Sequence, residues 1–481
     1  MSSVAVVRRN SIFSFLAFGL RLVANAVLFI GIARFYGAAA FGQFSLAHVY
    51  FSLMLFVADF GYDFYLASEI GRDVRMTEDL VRKVMPMKIF FSGVAIVFMV
   101  ACAFITQSAS ETRLLMIILA VGIPANTLMT LVAAIFRGNQ DVLPEARVAF
   151  TQNALLLILL VVVAVLGLPL LAVAAVFVAS RIYGFFALWH QVRKRFPNLQ
   201  WNFRLTKSRE TRVLTGIGLV FGLHMLFGTL YFQMDTILLD RLKGQEAVGL
   251  YQAVMKLTAL VLVLNEVAIT AVIPVLAESF TADIARWKRI GGVVCKSLHL
   301  IGGFFGLLFF LSPGDILTIV YGKGEFLQAA GVMRIFGVIL LIRFGMETYA
   351  MMLTSANKQR SRMVVVILAT ILNVIANLFA IPRYGIIGAA WVSLGTNALI
   401  ALVYISLVSI HMRQWFPLID SGQLLMFAGF LIAGGVLWQC GISSLIVVLP
   451  LAIVLTVGLT FIGFSRNESK VVSSFLHLKT L

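Results

Sequence analysis

Cysteine, histidine and charged residues are scarce in this chain of 481 residues, and each scarcity excludes a class of site. The three cysteines, Cys102, Cys295 and Cys440, lie apart in apolar segments and have no metal-ligand or redox spacing. The six histidines form no HExxH or related motif. We therefore expect no metal, no cofactor and no catalytic residue.

Apolar sequence is what the chain has in excess. Hydrophobic residues make up 61% of it, charged residues only 12%, and the mean hydropathy is +0.99. A bilayer core about 30 Å thick requires roughly 20 apolar residues per helix. This composition predicts an all-α polytopic membrane protein with about 14 transmembrane helices, at 10–33, 42–65, 85–106, 114–136, 148–167, 170–190, 214–237, 250–275, 291–312, 329–353, 363–382, 386–410, 422–439 and 443–464.

Tight hairpins are expected near Pro169, Pro382 and Gly441, where predicted spans nearly meet. Arg8 and Arg9 before the first apolar run resemble the start of a signal peptide. That run is too long for a signal sequence and contains Arg21, so we interpret it as an uncleaved first span.

The net charge of +17 would suggest nucleic acid as a partner of a soluble protein. Here the Lys and Arg residues alternate in excess between the predicted loops, about 26 on one side, Lys88 included, against about 6 on the other. Because cytoplasmic loops collect positive charge, both termini are predicted to face the cytoplasm, and no nucleic-acid partner is expected. The longest loop on the opposite side runs from about 312 to 329.

The chain contains an internal repeat. A shift of 207 residues superposes Gly37 on Gly244 and Gly42 on Gly249, and also Asp59 on Glu266. The basic stretch between the sixth and seventh spans separates the two copies. The predicted domains are an N-terminal lobe (1–190), a cytoplasmic linker (191–213), a C-terminal lobe (214–411), and a terminal helix pair with a cytoplasmic tail (412–481). The terminal pair holds almost no charge and is expected to face lipid rather than to line a cavity.

Ionisable residues inside the spans are the candidates for function, because a charge at the bilayer centre needs a cavity or a partner. We predict two groups. The cavity group, which would bind substrate, is Arg21, Asn25, Lys256, Arg181 and Arg343. The group for gating or ion coupling is Asp59, Glu266, Asp235 and Glu347.

Each candidate also has a structural interpretation. Arg21 lies near mid-span and could form an interhelical ion pair, while Lys256 could extend to water and Ser180 and Tyr183 could satisfy Arg181. Arg343 and Glu347 are four residues apart and are predicted to neutralise each other as a structural pair. Asp59 and Glu266 could equally have structural partners.

Four segments carry a family resemblance: YGAAAFGQFS (36–45), AIFRGNQ (134–140), YFQMDTILLDRLKGQEAVGLYQAV (231–254) and IPRYGIIGAAWVS (381–393). In this order and on this topology the chain resembles the polysaccharide-exporter branch of the multidrug/oligosaccharidyl-lipid/polysaccharide (MOP) flippase superfamily. The resemblance implies two pseudo-symmetric six-helix lobes around a V-shaped central cavity, plus a terminal helix pair. Of the family's cationic residues, only Arg21 and Lys256 have counterparts here, since the second span carries acids instead.

The resemblance also implies a function. It implies a flippase that moves an undecaprenyl-diphosphate-linked oligosaccharide, an O-antigen or exopolysaccharide repeat unit, to the periplasmic leaflet of a bacterial inner membrane. Expected partners are this lipid-linked substrate, membrane lipids, and the polymerase and chain-length proteins of the same pathway. Coupling to H+ or Na+ stays open.

Two other functions fit parts of the sequence. A cation-coupled multidrug extruder of the same superfamily predicts a cavity that is mainly acidic and aromatic. A membrane glycosyltransferase or polymerase needs a catalytic domain or a large outward loop, and the sequence shows neither. We therefore expect a transporter and not an enzyme.

Overall fold

A computed structural model describes residues 3–107, 109–197, 199, 229–322, 324–411, 421–464 and 468. All regular secondary structure in these residues is helical. The chain divides into two compact units, Met1–Gly249 and Leu250–Leu481. The predicted linker 191–213 lies mostly outside the described residues, so its role as a boundary stays a prediction.

The first unit is built from long helices around an apolar core. In chain order these are α1 (Ser3–Asp59), α2 (Tyr62–Arg72), a 3-10 turn (Val74–Met76), α3 (Thr77–Thr106), α4 (Ser110–Gly138), α5 (Leu143–Val165), α6 (Leu170–Arg195), α7 (229–243) and the first turn of α8 (Gln245–Ala282). Side chains of α2, α3, α4 and α6 form one large apolar cluster of this core, in which Phe136 and Leu66 are buried. Such burial of large apolar groups holds these helices together.

The second unit continues from α8 and has two central helices. Its further elements are α9 (Ile284–Leu311), α10 (Pro313–Tyr321), a 3-10 turn (Glu325–Ala329), α11 (Ala330–Ser355), α12 (Gln359–His411), α13 (Ser421–Gln439) and α14 (Leu445–Gly463). Helices α9 and α11 pack along each other and are buried over most of their apolar lengths. Helix α10 and the 3-10 turn occupy the loop predicted as the longest on the outward side.

Eleven of the described helices are long and apolar enough to cross a membrane. Every predicted span except the seventh overlaps one of these helices, and the seventh, 214–237, lies mostly outside the described residues. The prediction of an all-α multi-pass membrane protein is confirmed.

Two of the helices contain a glycine break that separates two predicted spans. Helix α1 breaks at Gly37 (φ 80°, ψ −179°) and α12 at Gly385 (φ 59°, ψ −137°). The Asn373 side chain donates to Thr396 Oγ1 at 3.4 Å, so the two parts of α12 pack side by side. The predicted turn near Pro382 therefore lies at Gly385, because only a glycine adopts that conformation without strain.

The turns predicted near Pro169 and Gly441 are confirmed, since the residues lie between α5 and α6 and between α13 and α14. The second predicted span, 42–65, is wrong at its end. Helix α1 ends at Asp59, and Phe60 (φ 50°) and Gly61 (φ 80°) break the helical conformation before α2 begins.

Candidate functional site

The two copies of the repeat share the same turn. Gly37 within α1 and Gly244 between α7 and α8 both have left-handed φ angles, 80° and 86°. A residue with a Cβ would be strained there, which is why both copies carry glycine. The predicted equivalence of Gly37 and Gly244 therefore holds at the level of the backbone.

The turns also contact each other, and the contact is reciprocal. A Cβ added to Gly42 would lie 1.9 Å from the carbonyl oxygen of Gln245, and one added to Gly249 would lie 2.0 Å from that of Ala38. The 207-residue shift converts one contact into the other. The start of α8 thus packs backbone to backbone on α1, at a distance that no side chain permits.

Neutral polar side chains surround this contact. Gln43 donates to Gln245 Oε1 at 2.9 Å, and Gln245 donates to Thr112 Oγ1 at 2.5 Å. Gln107 donates to an Asp240 oxygen at 2.9 Å. Burial raises the pKa of the Asp240 carboxyl above its usual range, although the Gln107 hydrogen bond and Arg241 act in the opposite direction. We call this region, Gly42, Gln43, Gln245, Gly249 and their partners, the outer contact.

Arg21 lies at the other end of the first unit. Its guanidinium is 4.0 Å from Glu145 Oε1, and Arg137 Nε is 3.2 Å from Glu145 Oε2. Glu145 belongs to the first turn of α5, so Arg21 reaches the end predicted to be cytoplasmic rather than mid-span. Its side chain keeps 48% of its surface exposed, and Glu145 is shared with Arg137, so Arg21 is not neutralised.

Arg181 of α6 is close enough to Arg21 for their charges to interact. Its guanidinium lies over the ring of Phe177, 4.6 Å from the centroid. Its Nε is buried and has no hydrogen-bond partner among the described residues. Ser180 donates instead to the Phe177 carbonyl at 2.7 Å, so the predicted satisfaction of Arg181 by Ser180 is wrong. Arg21 and Arg181 therefore lie within electrostatic range of each other in the first unit, with Glu145 as the acidic partner of Arg21. Asn25 is half-buried on α1.

In the second unit, predicted residues form a mixed-charge cluster. Glu347 is buried and pairs with Arg362 at 3.5 Å. Glu266, which is exposed on α8, is within electrostatic reach of Arg343, Glu347 and Arg362. Arg362 was counted from the sequence as a loop charge, yet it is the partner of Glu347.

Lys256 is half-buried on α8, and Asp235 is buried on α7. The predicted equivalence of Asp59 and Glu266 does not extend to their surroundings. Asp59 pairs with Lys88 at 2.7 Å, whereas Glu266 is exposed.

Sequence reasoning missed the most buried cation of the first unit. Lys88 lies close to the start of the predicted third span, 85–106, and was counted with the loop charges that flank it. Helix α3 begins at Thr77, so Lys88 lies in its second quarter with a fully buried side chain. Asp63 could have indicated a buried cation at this place, because two carboxylates close together at the end of an apolar run, Asp59 and Asp63, need a positive charge nearby. Among the described residues, no group of three His, Cys, Asp or Glu side chains could hold a metal ion.

A cavity of about 320 Å³ opens within the second unit between α9, α11, α12 and α13. Its wall is almost entirely apolar, with His299, Tyr349 and Gln423 as exceptions. Gln423, Leu424 and Phe427 come from α13. Helix α13 therefore lines this cavity of the second unit, whereas the prediction for the terminal pair concerned the central cavity between the lobes.

Comparisons with known proteins agree with this fold. The family model described as polysaccharide biosynthesis protein matches residues 7–280, and the MatE model matches residues 221–379. A curated relative, a probable low-salt glycan biosynthesis flippase of Haloferax volcanii, is 25% identical over 168 residues. That match covers 34% of each protein, so the chain spans about a third of this relative.

Solved structures share the fold over nearly the whole chain. The lipid II flippase MurJ in an inward closed conformation has a TM-score of 0.73 at 14% identity, over 96% of this chain and 99% of that one. An inward-facing multidrug transporter of the MATE family has a TM-score of 0.67 at 15% identity, over 83% and 98%. A MOP superfamily transporter of Pyrococcus furiosus has a TM-score of 0.60 at 16% identity, over 85% and 95%.

The first family model covers more than half of the chain, and flippases and transporters, rather than enzymes, share its fold. This multi-pass membrane protein belongs to the polysaccharide biosynthesis protein family, within the MOP superfamily of flippases.

Proposed function

We propose that this protein flips a polyprenyl-diphosphate-linked oligosaccharide, an O-antigen or exopolysaccharide repeat unit, from the cytoplasmic to the periplasmic leaflet. The observation that carries the proposal is that Arg21 and Arg181, two cationic side chains of the first unit, lie within electrostatic range of each other.

Two guanidinium groups that act on each other repel unless an anion lies between them. Arg21 is half exposed, and Arg181 holds a buried Nε without a partner among the described residues. A diphosphate offers several acceptor oxygens, and arginine binds such groups with two parallel N–H donors. The pair is therefore suited to a diphosphate at the cytoplasmic end, where the substrate would enter.

The outer contact supports alternating access. At that end of the first unit the backbones of α1 and α8 touch through Gly42 and Gly249, and the bridging side chains, Gln43 and Gln245, are uncharged. The contact carries no ion pair to break. In our proposal it opens when the substrate headgroup is released outward, and it is closed while the Arg21–Arg181 site faces the cytoplasm.

The apolar cavity between α9, α11, α12 and α13 is suited to hydrocarbon. We propose that part of the polyprenyl chain occupies it while the diphosphate is bound elsewhere. On this proposal the protein lies in the bacterial inner membrane with both termini in the cytoplasm. It would pass its substrate to polymerase and chain-length proteins.

A multidrug extruder is the second candidate, because a MATE transporter shares the fold with a TM-score of 0.67. Organic cations need carboxylates or aromatic faces, and two adjacent arginines would repel them. The Glu266–Glu347 neighbourhood of the second unit is the feature that favours this candidate, but Arg343 and Arg362 accompany it.

The test is flipping in proteoliposomes, with an undecaprenyl-diphosphate oligosaccharide in one assay and an organic cation in another. The wild-type protein should flip the lipid-linked sugar and should not transport the organic cation. Arg21→Ala and Arg181→Ala should each lose at least about 90% of the rate, since a charge-assisted hydrogen bond is worth about 1.5–3 kcal/mol. Arg21→Lys should be partly active because it keeps the charge but lacks the fork.

The matched control is Arg72→Ala, which removes an exposed arginine that pairs only with Glu69 on the same helix. It should flip at the wild-type rate. Transport of the cation alone, or normal flipping by both arginine-to-alanine variants, would overturn the proposal.

A further inference from the structure

Two charged side chains, Asp59 and Asp63, flank the break between α1 and α2. Asp59 ends α1, and Asp63 lies in the first turn of α2. Between them, Phe60 has a φ of 50°, a conformation that residues with a Cβ rarely adopt. Such a backbone persists only where its surroundings hold it.

Lys88 of α3 stabilises this backbone by contacting the carboxylates on both sides of the break. Its fully buried ammonium lies 2.7 Å from Asp59 Oδ1 and donates to Asp63 Oδ1. It also donates to Thr130 Oγ1 of α4 at 3.4 Å. An ammonium has three N–H donors, and here two carboxylates and one hydroxyl surround it.

The triad Asp59–Lys88–Asp63 has one negative charge in surplus, because two carboxylates share a single ammonium. The charges that act on the two aspartates are those of Lys88 and of each other. From α2, the Tyr62 hydroxyl donates to Met87 Sδ at 3.2 Å, and Glu69 pairs with Arg72 at 2.6 Å. Helix α4 contributes Thr130, which does not titrate. Within the described residues, no second cation balances the triad, and an unbalanced buried charge is costly.

The chemistry of the triad selects its ligand. An ammonium already lies between the carboxylates, where a metal ion would have to bind, and would repel it. A proton needs no such space, since it adds to one carboxylate oxygen and makes the triad neutral. Asp59 keeps 30% of its side chain exposed and Asp63 keeps 16%, so a proton can reach the site from water.

We propose that the Asp59–Lys88–Asp63 triad is an exchangeable proton-binding site and that its protonation moves the break between α1 and α2. One proton from water binds one carboxylate oxygen, and the triad changes from a charge of minus one to zero. The protonated aspartate is attracted less to Lys88, so the hold across Phe60 and Gly61 weakens. Loss of the proton restores the attraction between Lys88 and both aspartates across the break. The coupling of this step to flipping rests on the proposed function, whereas proton binding itself does not.

Infrared spectroscopy tests proton binding without any substrate. Difference spectra of the wild type between about pH 5 and about pH 9 should contain a protonated carboxyl band. Asp59→Asn and Asp63→Asn should each lose that band, because either change leaves one carboxylate balanced by Lys88. Asp63→Glu should keep it, since the second carboxylate is retained.

Two pairs elsewhere serve as matched controls. Glu468→Gln removes the carboxylate that pairs with the buried Lys296, and Asp79→Asn removes a surface partner of Lys83 on α3. Both should keep the band. A wild type without a pH-dependent carboxyl band, or a band that survives in both Asp59→Asn and Asp63→Asn, would overturn the site.

Flipping under an imposed pH gradient tests the coupling. The gradient should change the wild-type rate several-fold, and Asp63→Asn should flip at one rate whatever the gradient. A gradient response equal to that of wild type in Asp63→Asn would overturn the coupling while leaving the infrared result intact. If the wild type flips no lipid-linked sugar, the proposed function fails, and the band still decides whether the triad binds a proton.

Discussion

The third helices of the two repeats, α3 and α9, each bury one lysine, and the lysines have different partners. Lys296 lies one residue beyond the position that the 207-residue shift assigns to Lys88. Lys88 faces two aspartates at the break between α1 and α2. Lys296 binds both oxygens of Glu468, just after α14, at 3.0 Å each. The Lys296 ammonium also lies 5.8 Å from the centre of the Phe464 ring.

This difference separates two uses of a buried cation. A bidentate pair such as Lys296–Glu468 is suited to fixing a segment in place, here the end of the terminal helix pair against α9. A triad with surplus charge can change its charge state by gaining a proton. The two repeats therefore share a buried lysine on the third helix, and the different acidic partners of that lysine give each copy its own role.

The largest effect is expected from Lys88→Met. It leaves two carboxylates without their cation on helices that cannot move apart freely, and breaking a buried pair in this way costs about 3–5 kcal/mol. The free energy of unfolding in detergent should fall by that amount. The triple variant Lys88→Met, Asp59→Asn, Asp63→Asn should recover most of it. A triple variant as unstable as Lys88→Met alone would show that packing, and not charge, holds the break.

The next effect concerns the feature that the repeats do share. Gly42→Ala and Gly249→Ala each place a Cβ within 2.0 Å of a backbone oxygen. Each should destabilise the outer contact by about 2–3 kcal/mol, as overpacking does. Because the contacts are reciprocal, the two variants should behave alike.

The readout is disulfide crosslinking between Gln43→Cys and Gln245→Cys, with the native cysteines replaced, and it should fall sharply in both alanine variants. Gly31→Ala, on the same helix with no atom within 4 Å of the added Cβ, is the control and should crosslink as wild type. Unequal effects of Gly42→Ala and Gly249→Ala would contradict the equivalence of the two turns.

Lys296→Met should have a smaller effect than Lys88→Met. It leaves a single carboxylate, that of Glu468, which keeps 16% of its side chain exposed. A loss of about 1.5–2 kcal/mol in unfolding free energy is expected, in the range of one hydrogen bond to a charged group. Equal losses for Lys88→Met and Lys296→Met would remove the distinction between the triad and the Lys296–Glu468 pair.

The smallest effect is expected at the surface of α3. Asp79 and Lys83 pair at 2.8 Å, but their side chains are 52% and 36% exposed. Asp79→Asn should change the unfolding free energy by less than about 0.5 kcal/mol, because water and salt screen exposed pairs. A loss as large as that of Lys296→Met would mean that exposure does not decide the value of these ion pairs.

Much of the fold was predictable because its signals are local. Spans follow from apolar runs, and the turns at Gly37, Gly244 and Gly441 follow from glycine at the ends of those runs. The start of α3 at Thr77 was not predictable, because the amphipathic stretch 77–84 lacks the hydropathy of a membrane span. Lys88, close to the start of the predicted span 85–106, was counted with the loop charges that precede it.

The candidate site was predictable only in part. Arg21 and Arg181 stood out as charges within apolar segments, and the structure brings their charges into reach of each other. Arg343 was predicted as the partner of Glu347 on the same helix, and the structure shows a further partner, Arg362 on α12, that the sequence did not indicate. Helical spacing can propose a partner one turn away and cannot detect one on another helix.

The sequence alone determined that this is a multi-pass helical membrane protein with a repeated glycine turn, because hydropathy and backbone strain depend on residues close together in the chain. Tertiary structure decided which charges meet. Lys88 finds Asp63 across 25 residues, and Lys296 finds Glu468 across 172. The cost of burying a charge depends on the helices that pack around it, and that packing places distant residues in contact.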